Sequence, residues 1–181
     1  MIYDLTQELL HAPVYPGDPA PERTPVFQMN EGDLINLSMI SMCAHNGTHV
    51  DAPLHFIDGG KGILDLPLEV FVGRAEVIDI SNREKILASP CKRILLKGCE
   101  EIDREFAELL CKKELLLLGV EGQSVGDGQV HFSLLSREIA LLEGIRLDRV
   151  PDGFYTLVAA PLKMEGLEGA PCRAILLDEV I

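Results

Sequence analysis

The 181-residue sequence predicts a mixed α/β fold: a mixed β-sheet or partial barrel with a few flanking helices. Three observations support this. Short apolar runs of strand length recur along the chain, bounded by Gly, Pro and charged residues. Only a few stretches carry helical spacing. Strand-like and helix-like stretches also alternate without segregating into halves, as expected when helices flank one mixed sheet.

Taken in order, residues 12 to 25 come first. Pro13, Pro16, Pro19, Pro21 and Pro25 predict an extended, turn-filled arm there. Leu34 to Met42 alternates in places and carries few helix signals, so it is assigned as a strand. Ile63 to Phe71 is expected to hold a short helix. Arg74 to Ile80 and Arg93 to Lys97 are strands. Ile102 to Lys112 is a helix, with Phe106, Leu109 and Leu110 apolar and Asp103 placed to cap it. The Leu115–Leu118 run does not by itself separate strand from helix. Its shortness, with Gly119 and Gly122 close behind, favours a buried strand over Glu114 to Val120. His131 to Glu138 is a helix, with Ile139 to Leu142 returning extended. Phe154 to Ala160 and Arg173 to Leu177 complete the strands.

Composition sets the boundaries. At 47% hydrophobic, the chain can fill a core, and its length suits one domain spanning 1–181. The net charge of −13 argues against nucleic acid and anionic membrane surfaces, because both need clustered Lys and Arg. Leu115 to Val120 is the longest apolar run, far below the ~20 residues of a spanning helix. Met1 leads directly into Ile2-Tyr3-Asp4-Leu5 with no basic or apolar leader. Cys43, Cys91, Cys99, Cys111 and Cys172 form no C-x-x-C pair, so reduced thiols and a cytoplasmic location are expected.

The candidate chemistry is concentrated in His45-Asn-Gly-Thr-His49-Val-Asp51-Ala-Pro-Leu-His55, which holds three of the five histidines. Imidazole and carboxylate are the ligand types of zinc and its neighbours. Asn46-Gly47 is a turn signal and Pro53 a breaker, so this is not the helical H-E-x-x-H arrangement. In an extended chain His49 and Asp51 point to one face. A tight two-residue hairpin would pair His45 with Thr48 and put His49 on the other face. Convergence of all three therefore requires a wider turn. A polar loop without a site is the competing reading.

This stretch resembles the signature of the cyclase-like metal-dependent hydrolases, a family that includes bacterial kynurenine formamidases and isatin hydrolases. Tyr15-Pro16-Gly17-Asp18 is similar to the family's N-terminal aromatic-Pro-Gly-Asp element. His131-Phe-Ser-Leu-Leu with Leu142-Glu143 is similar to its second ligand segment, and Ala160-Pro-Leu to Gly169-Ala-Pro-Cys-Arg-Ala to its closing motif. The resemblance implies the swivelling β/β/α fold and two divalent ions, zinc or manganese. His45, His49 and Asp51 would hold the first ion. Asp51 would bridge to a second held by His131 and Glu143. His55 would be the catalytic acid/base, and Tyr15 would contact substrate where the kynurenine formamidases carry Trp. The resemblance also implies a homodimer or homotetramer, in which a partner would pin the Pro-rich arm.

The implied activity is hydrolysis of a small aryl-formamide or cyclic amide by a metal-activated water, with a histidine moving the proton. A cyclase or lyase acting through an enolate is one alternative, and a non-catalytic metal-binding protein another. Cys43 is the one rival nucleophile, though a cysteine on an apolar strand usually packs. Glu121, Gln123 and Ser124 are further candidate pocket residues. One geometric condition stands out. Along a continuous helix His131 and Glu143 would be about 18 Å apart, so the chain between them must fold back.

Overall fold

The structure is a computed structural model that describes residues 1–178. Its strands are β1 (Ile2–Asp4), β2 (Glu22–Phe27), β3 (Leu37–Ser41), β4 (His49–Asp51), β5 (Val72–Asp79), β6 (Arg93–Lys97), β7 (Leu117–Val120), β8 (Ala140–Glu143), β9 (Gly153–Val158), β10 (Gly169–Pro171) and β11 (Ile175–Leu177). The α-helices are α1 (Arg83–Ala88), α2 (Arg104–Leu110) and α3 (Gly128–Leu135). Nine strands form one sheet, ordered β1-β11-β9-β5-β6-β7-β8-β4-β10, which curls into a half-barrel. Its centre, β5 through β8, is parallel, and both flanks are antiparallel.

Buried central strands explain the continuous apolar runs, because both sheet faces are covered. Alternate residues enter two cores. Val77, Leu95, Leu117 and Leu142 fill one. Ile78, Ile94, Leu96, Leu118 and Leu141 fill the other, beneath α2 and α3. Helix α2 starts where the sequence places it, with the Asp103 carboxylate accepting from Phe106 N at 2.8 Å.

Four expectations need correction. The 63–71 segment forms two separate 3₁₀ turns, Ile63–Asp65 and Leu68–Val70, not one helix. Pro67 separates them, because it supplies no N–H and biases Leu66 toward extended backbone. The 12–25 arm is not irregular throughout, since from Glu22 it is strand β2. The 34–42 strand shortens to β3 and pairs only with β2, outside the main sheet. Helix α3 begins at Gly128, before His131, because the Asp127 carboxylate caps Gln129 N and Val130 N. Helix α1 was not anticipated. It is short, and its N-cap, Asn82, accepts from Lys85 N at 3.1 Å. None of the five cysteines is in a disulfide. No helix among the described residues is long and apolar enough to cross a membrane.

Candidate metal centre

Strand β4 supplies His49 and Asp51, which project to one face while Val50 between them enters the opposite core. His49 lies directly opposite Glu143 on β8, so that carboxylate shares the face. His131 reaches the same place from α3, whose inward stripe is Val130, His131, Leu134 and Leu135. The required reversal occurs just after α3. Glu138, at φ 58, is the one non-glycine with positive φ among the described residues, and it turns the chain into β8. The turn question at Asn46-Gly47 is also resolved. His45 sits on a loop and is not paired to β4, whose neighbours are β8 and β10. That loop is anchored where the Thr48 hydroxyl donates to the Gly144 carbonyl at 2.7 Å. Gly144, at φ +67, could carry no side chain, because a Cβ would lie 2.6 Å from the Gly47 carbonyl oxygen.

Two groups of ligand-type atoms result, joined by Asp51. One is His45, His49 and Asp51, and the other is Asp51, His131 and Glu143; within each, the ligand-type atoms lie within 4.8 Å of one another. His45 Nδ1 is 2.8 Å from Asp51 Oδ1. His49 Nε2 is 3.2 Å from Asp51 Oδ1 and 3.3 Å from Glu143 Oε2. His131 Nε2 is 3.3 Å from Glu143 Oε1 and 3.8 Å from Asp51 Oδ2. The remaining nitrogens of two rings face backbone carbonyls, His49 Nδ1 at Gly47 O (3.0 Å) and His131 Nδ1 at Asp127 O (3.1 Å).

The donor set fits a divalent cation. His49 Nε2 and Asp51 Oδ2 are buried and lack a hydrogen-bond partner. His49 Nε2 lies between two carboxylates, 3.2 Å from Asp51 and 3.3 Å from Glu143. Buried polar atoms are normally satisfied, so these two point to a ligand. The electrostatics agree. Burial alone would push His49 down, but Asp51 and Glu143 raise it to about 10. Burial likewise opposes charge on His45 and His131, yet Asp51 and Glu143 respectively lift them above the ordinary range. Asp51 is held well below the carboxylate range, because His45 and His49 outweigh its burial. A cation would satisfy the same carboxylates without those protons.

His55 follows on a single 3₁₀ turn, Pro53–His55. Its ring stacks on His45 with centroids 4.1 Å apart and planes 27° apart, and lies 6.0 Å from His131. Burial lowers its pKa, and His45 and His131 add to this against the opposing carboxylates of Asp51 and Glu143. These histidines face a cavity of about 320 Å³ that Tyr15, Gln123 and Ser124 also line. A larger, mostly apolar groove of about 1000 Å³ adjoins it at His45 and Asp18. Tyr15, His45, His49, Asp51, His55, His131 and Glu143 are therefore all brought to one place.

Glu121 is not part of the pocket. Its carboxylate accepts from Gly98 N at 2.5 Å and Leu147 N at 2.8 Å, tying loops together. Cys43 lies beyond the end of β3 on the apolar groove, where its N–H donates to Asn46 Oδ1. Two neighbours escaped sequence reasoning. Phe56 stacks on His131 at 4.7 Å, and Glu168 Oε1 lies 3.3 Å from His45 Nε2. Phe56 could have been noticed beside His55, whereas Glu168 is one acid among many.

The cyclase family model ("Putative cyclase") matches residues 3–101. Kynurenine formamidase of Bacillus anthracis is 32% identical over 187 residues, covering 90% of each chain. This chain belongs to the cyclase family. A solved structure described as a potential metal-dependent hydrolase with cyclase activity is 30% identical, with a TM-score of 0.81, covering 100% of this chain and 99% of its own. Isatin hydrolase A of Labrenzia aggregata shares the fold, at 23% identity and a TM-score of 0.84, covering 99% of this cyclase-family chain and 94% of its own. The family match includes the 45–55 stretch, while His131 and Glu143 lie beyond it.

Proposed function

We propose that the chain is a metal-dependent amide hydrolase acting on a small aryl-formamide or cyclic amide. The observation that carries this is the pair of ligand groups sharing Asp51, with His55 stacked beside them at the cavity. The names of its relatives, kynurenine formamidase and isatin hydrolase, support the substrate class.

His45, His49 and Asp51 would hold one divalent ion, and Asp51, His131 and Glu143 a second. Imidazole and carboxylate suit both zinc and manganese. A bound ion supplies Lewis acidity, polarising a carbonyl and acidifying water. Burial lowers the His55 pKa, which favours its neutral imidazole. A ring nitrogen of His55 takes a proton from the attacking water and passes it to the leaving amine nitrogen. Stacking on His45 fixes that ring at the cavity wall, so the transfer needs no large movement. Tyr15, half-exposed at the mouth, offers a flat face to the aryl group.

The test is a screen of metal-saturated protein against N-formyl arylamines, isatin and small cyclic amides. Hydrolysis that disappears on chelation and returns with zinc or manganese is expected. Turnover only of substrates without a scissile amide would favour the enolate-type cyclase instead.

The chain is also expected to act as a homodimer or homotetramer. Neither β2 nor β3 contributes a buried residue, and their connection exposes Leu34 at 94%. A lone two-stranded hairpin is marginal in water, and an exposed apolar surface of this kind suits a partner. Light scattering giving a 20 kDa monomer at micromolar concentration would contradict this.

A further inference from the structure

The three candidate histidine ligands are not held alike. His49 and His131 each direct Nε2 at carboxylates and Nδ1 at a backbone carbonyl. His45 is reversed. Its Nδ1 faces Asp51 at 2.8 Å, and its Nε2 faces the side chain of Glu168 at 3.3 Å. His45 also sits on a loop, so no strand or helix orients its ring.

The residue after Glu168 is Gly169, the first of β10, paired in register with Asp51. The His45 ring lies against this glycine. A Cβ there would come within 2.5 Å of ring atom Cε1, 3.0 Å of Nε2 and 3.1 Å of Nδ1. Glu168 itself is fixed by the sheet, since its carbonyl accepts from Ala52 N at 2.8 Å. His55 stacks on the same imidazole. The ring is thus placed by the Gly169 backbone and His55 and anchored at its outer nitrogen by Glu168.

We propose that Glu168 and Gly169 are positioning residues for His45. The carboxylate accepts the Nε2 proton, which selects the tautomer with a free Nδ1 lone pair beside Asp51. A carboxylate on the outer nitrogen of a ligand histidine also raises its basicity, and removing such a partner typically weakens metal affinity about 10- to 100-fold. This inference rests on the proposal that His45, His49 and Asp51 bind an ion.

The experiment is zinc titration of the purified full chain in competition with a chromophoric chelator. Glu168→Ala, Glu168→Gln, Gly169→Ala and His49→Ala are compared with the natural chain. Glu168→Ala is expected to weaken zinc binding at the His45, His49 and Asp51 group roughly 10- to 100-fold. Glu168→Gln retains an acceptor oxygen and is expected to recover part of that loss, which a general folding defect would not allow. Gly169→Ala displaces the ring and is expected to weaken zinc at least as much. The absorption spectrum of the cobalt-loaded protein should change with Glu168→Ala, reporting altered ligand geometry independently of activity. Natural and Glu168→Ala chains binding zinc equally, with matching cobalt spectra, would overturn the proposal while leaving the metal site standing. If the natural chain takes up no zinc or cobalt, or His49→Ala binds zinc unchanged, the underlying ligand assignment fails and this inference falls with it.

Discussion

The two ligand groups that meet at Asp51 are built differently. His45, His49 and Asp51 come from one loop and the three-residue strand β4, and that loop is anchored through Thr48 to Gly144. His131 and Glu143 come from a helix and a central strand that meet only because the chain reverses at Glu138. The first group therefore depends on a local anchor, and the second on the packing of α3 over the sheet. Perturbations should separate the two, with Asp51 the residue whose loss affects both.

The largest effect is expected from Asp51→Ala. It removes the carboxylate common to both groups, so activity should fall to that of chelator-treated protein in a steady-state assay. Retention of most activity would dismiss the shared-ligand account. His55→Ala should leave metal content near that of the natural chain while lowering kcat by about 10²–10⁴-fold. If it strips metal as fully as His49→Ala, His55 is a ligand and the proton is moved by another group.

Packing offers a sharper contrast. Leu134, fully buried on the inward face of α3, lies in the core beneath His131. Leu134→Ala should cost about 2–5 kcal/mol in denaturant unfolding. It should also weaken the second metal site more than the first when zinc is titrated. Equal weakening of both would mean that α3 does not belong to one half of the centre alone.

The remaining effect concerns pH. In chelator-treated protein, His49 is raised from its ordinary value to about 10 by Asp51 and Glu143, against the effect of burial. Its folded pKa exceeds its unfolded one. The stabilisation is therefore complete below about pH 6.5 and is lost as pH rises through 10. Melting temperature of the chelated protein should fall across that window, and by less in the metal-loaded protein. A chelated protein with a flat profile would contradict this.

The local group was legible in the sequence because its ligands fall within one short stretch, two of them on alternate residues of a strand. His131 and Glu143 were not legible from pattern alone. Twelve residues separate them, and only the resemblance and the fold-back requirement paired them. The central strands β5 to β7 could be read from their apolar runs. β1, β4 and β10, at three residues each, are too short to show a period. Ile63 to Phe71 is expected to be one short helix, but Pro67 divides it into two turns. Glu121 looked like a pocket residue because it follows a strand end, but its carboxylate serves two backbone N–H groups. Glu168 gave no signal, because its partner His45 is distant in sequence.

Elemental analysis of metal-saturated protein tests the central claim most directly, comparing the natural chain with His131→Ala and Asp51→Ala. Asp51 as the common ligand predicts about two ions per chain in the natural protein, about one in His131→Ala and none tightly held in Asp51→Ala. One ion in the natural chain, or an Asp51→Ala variant that keeps as much metal as His131→Ala, would contradict it.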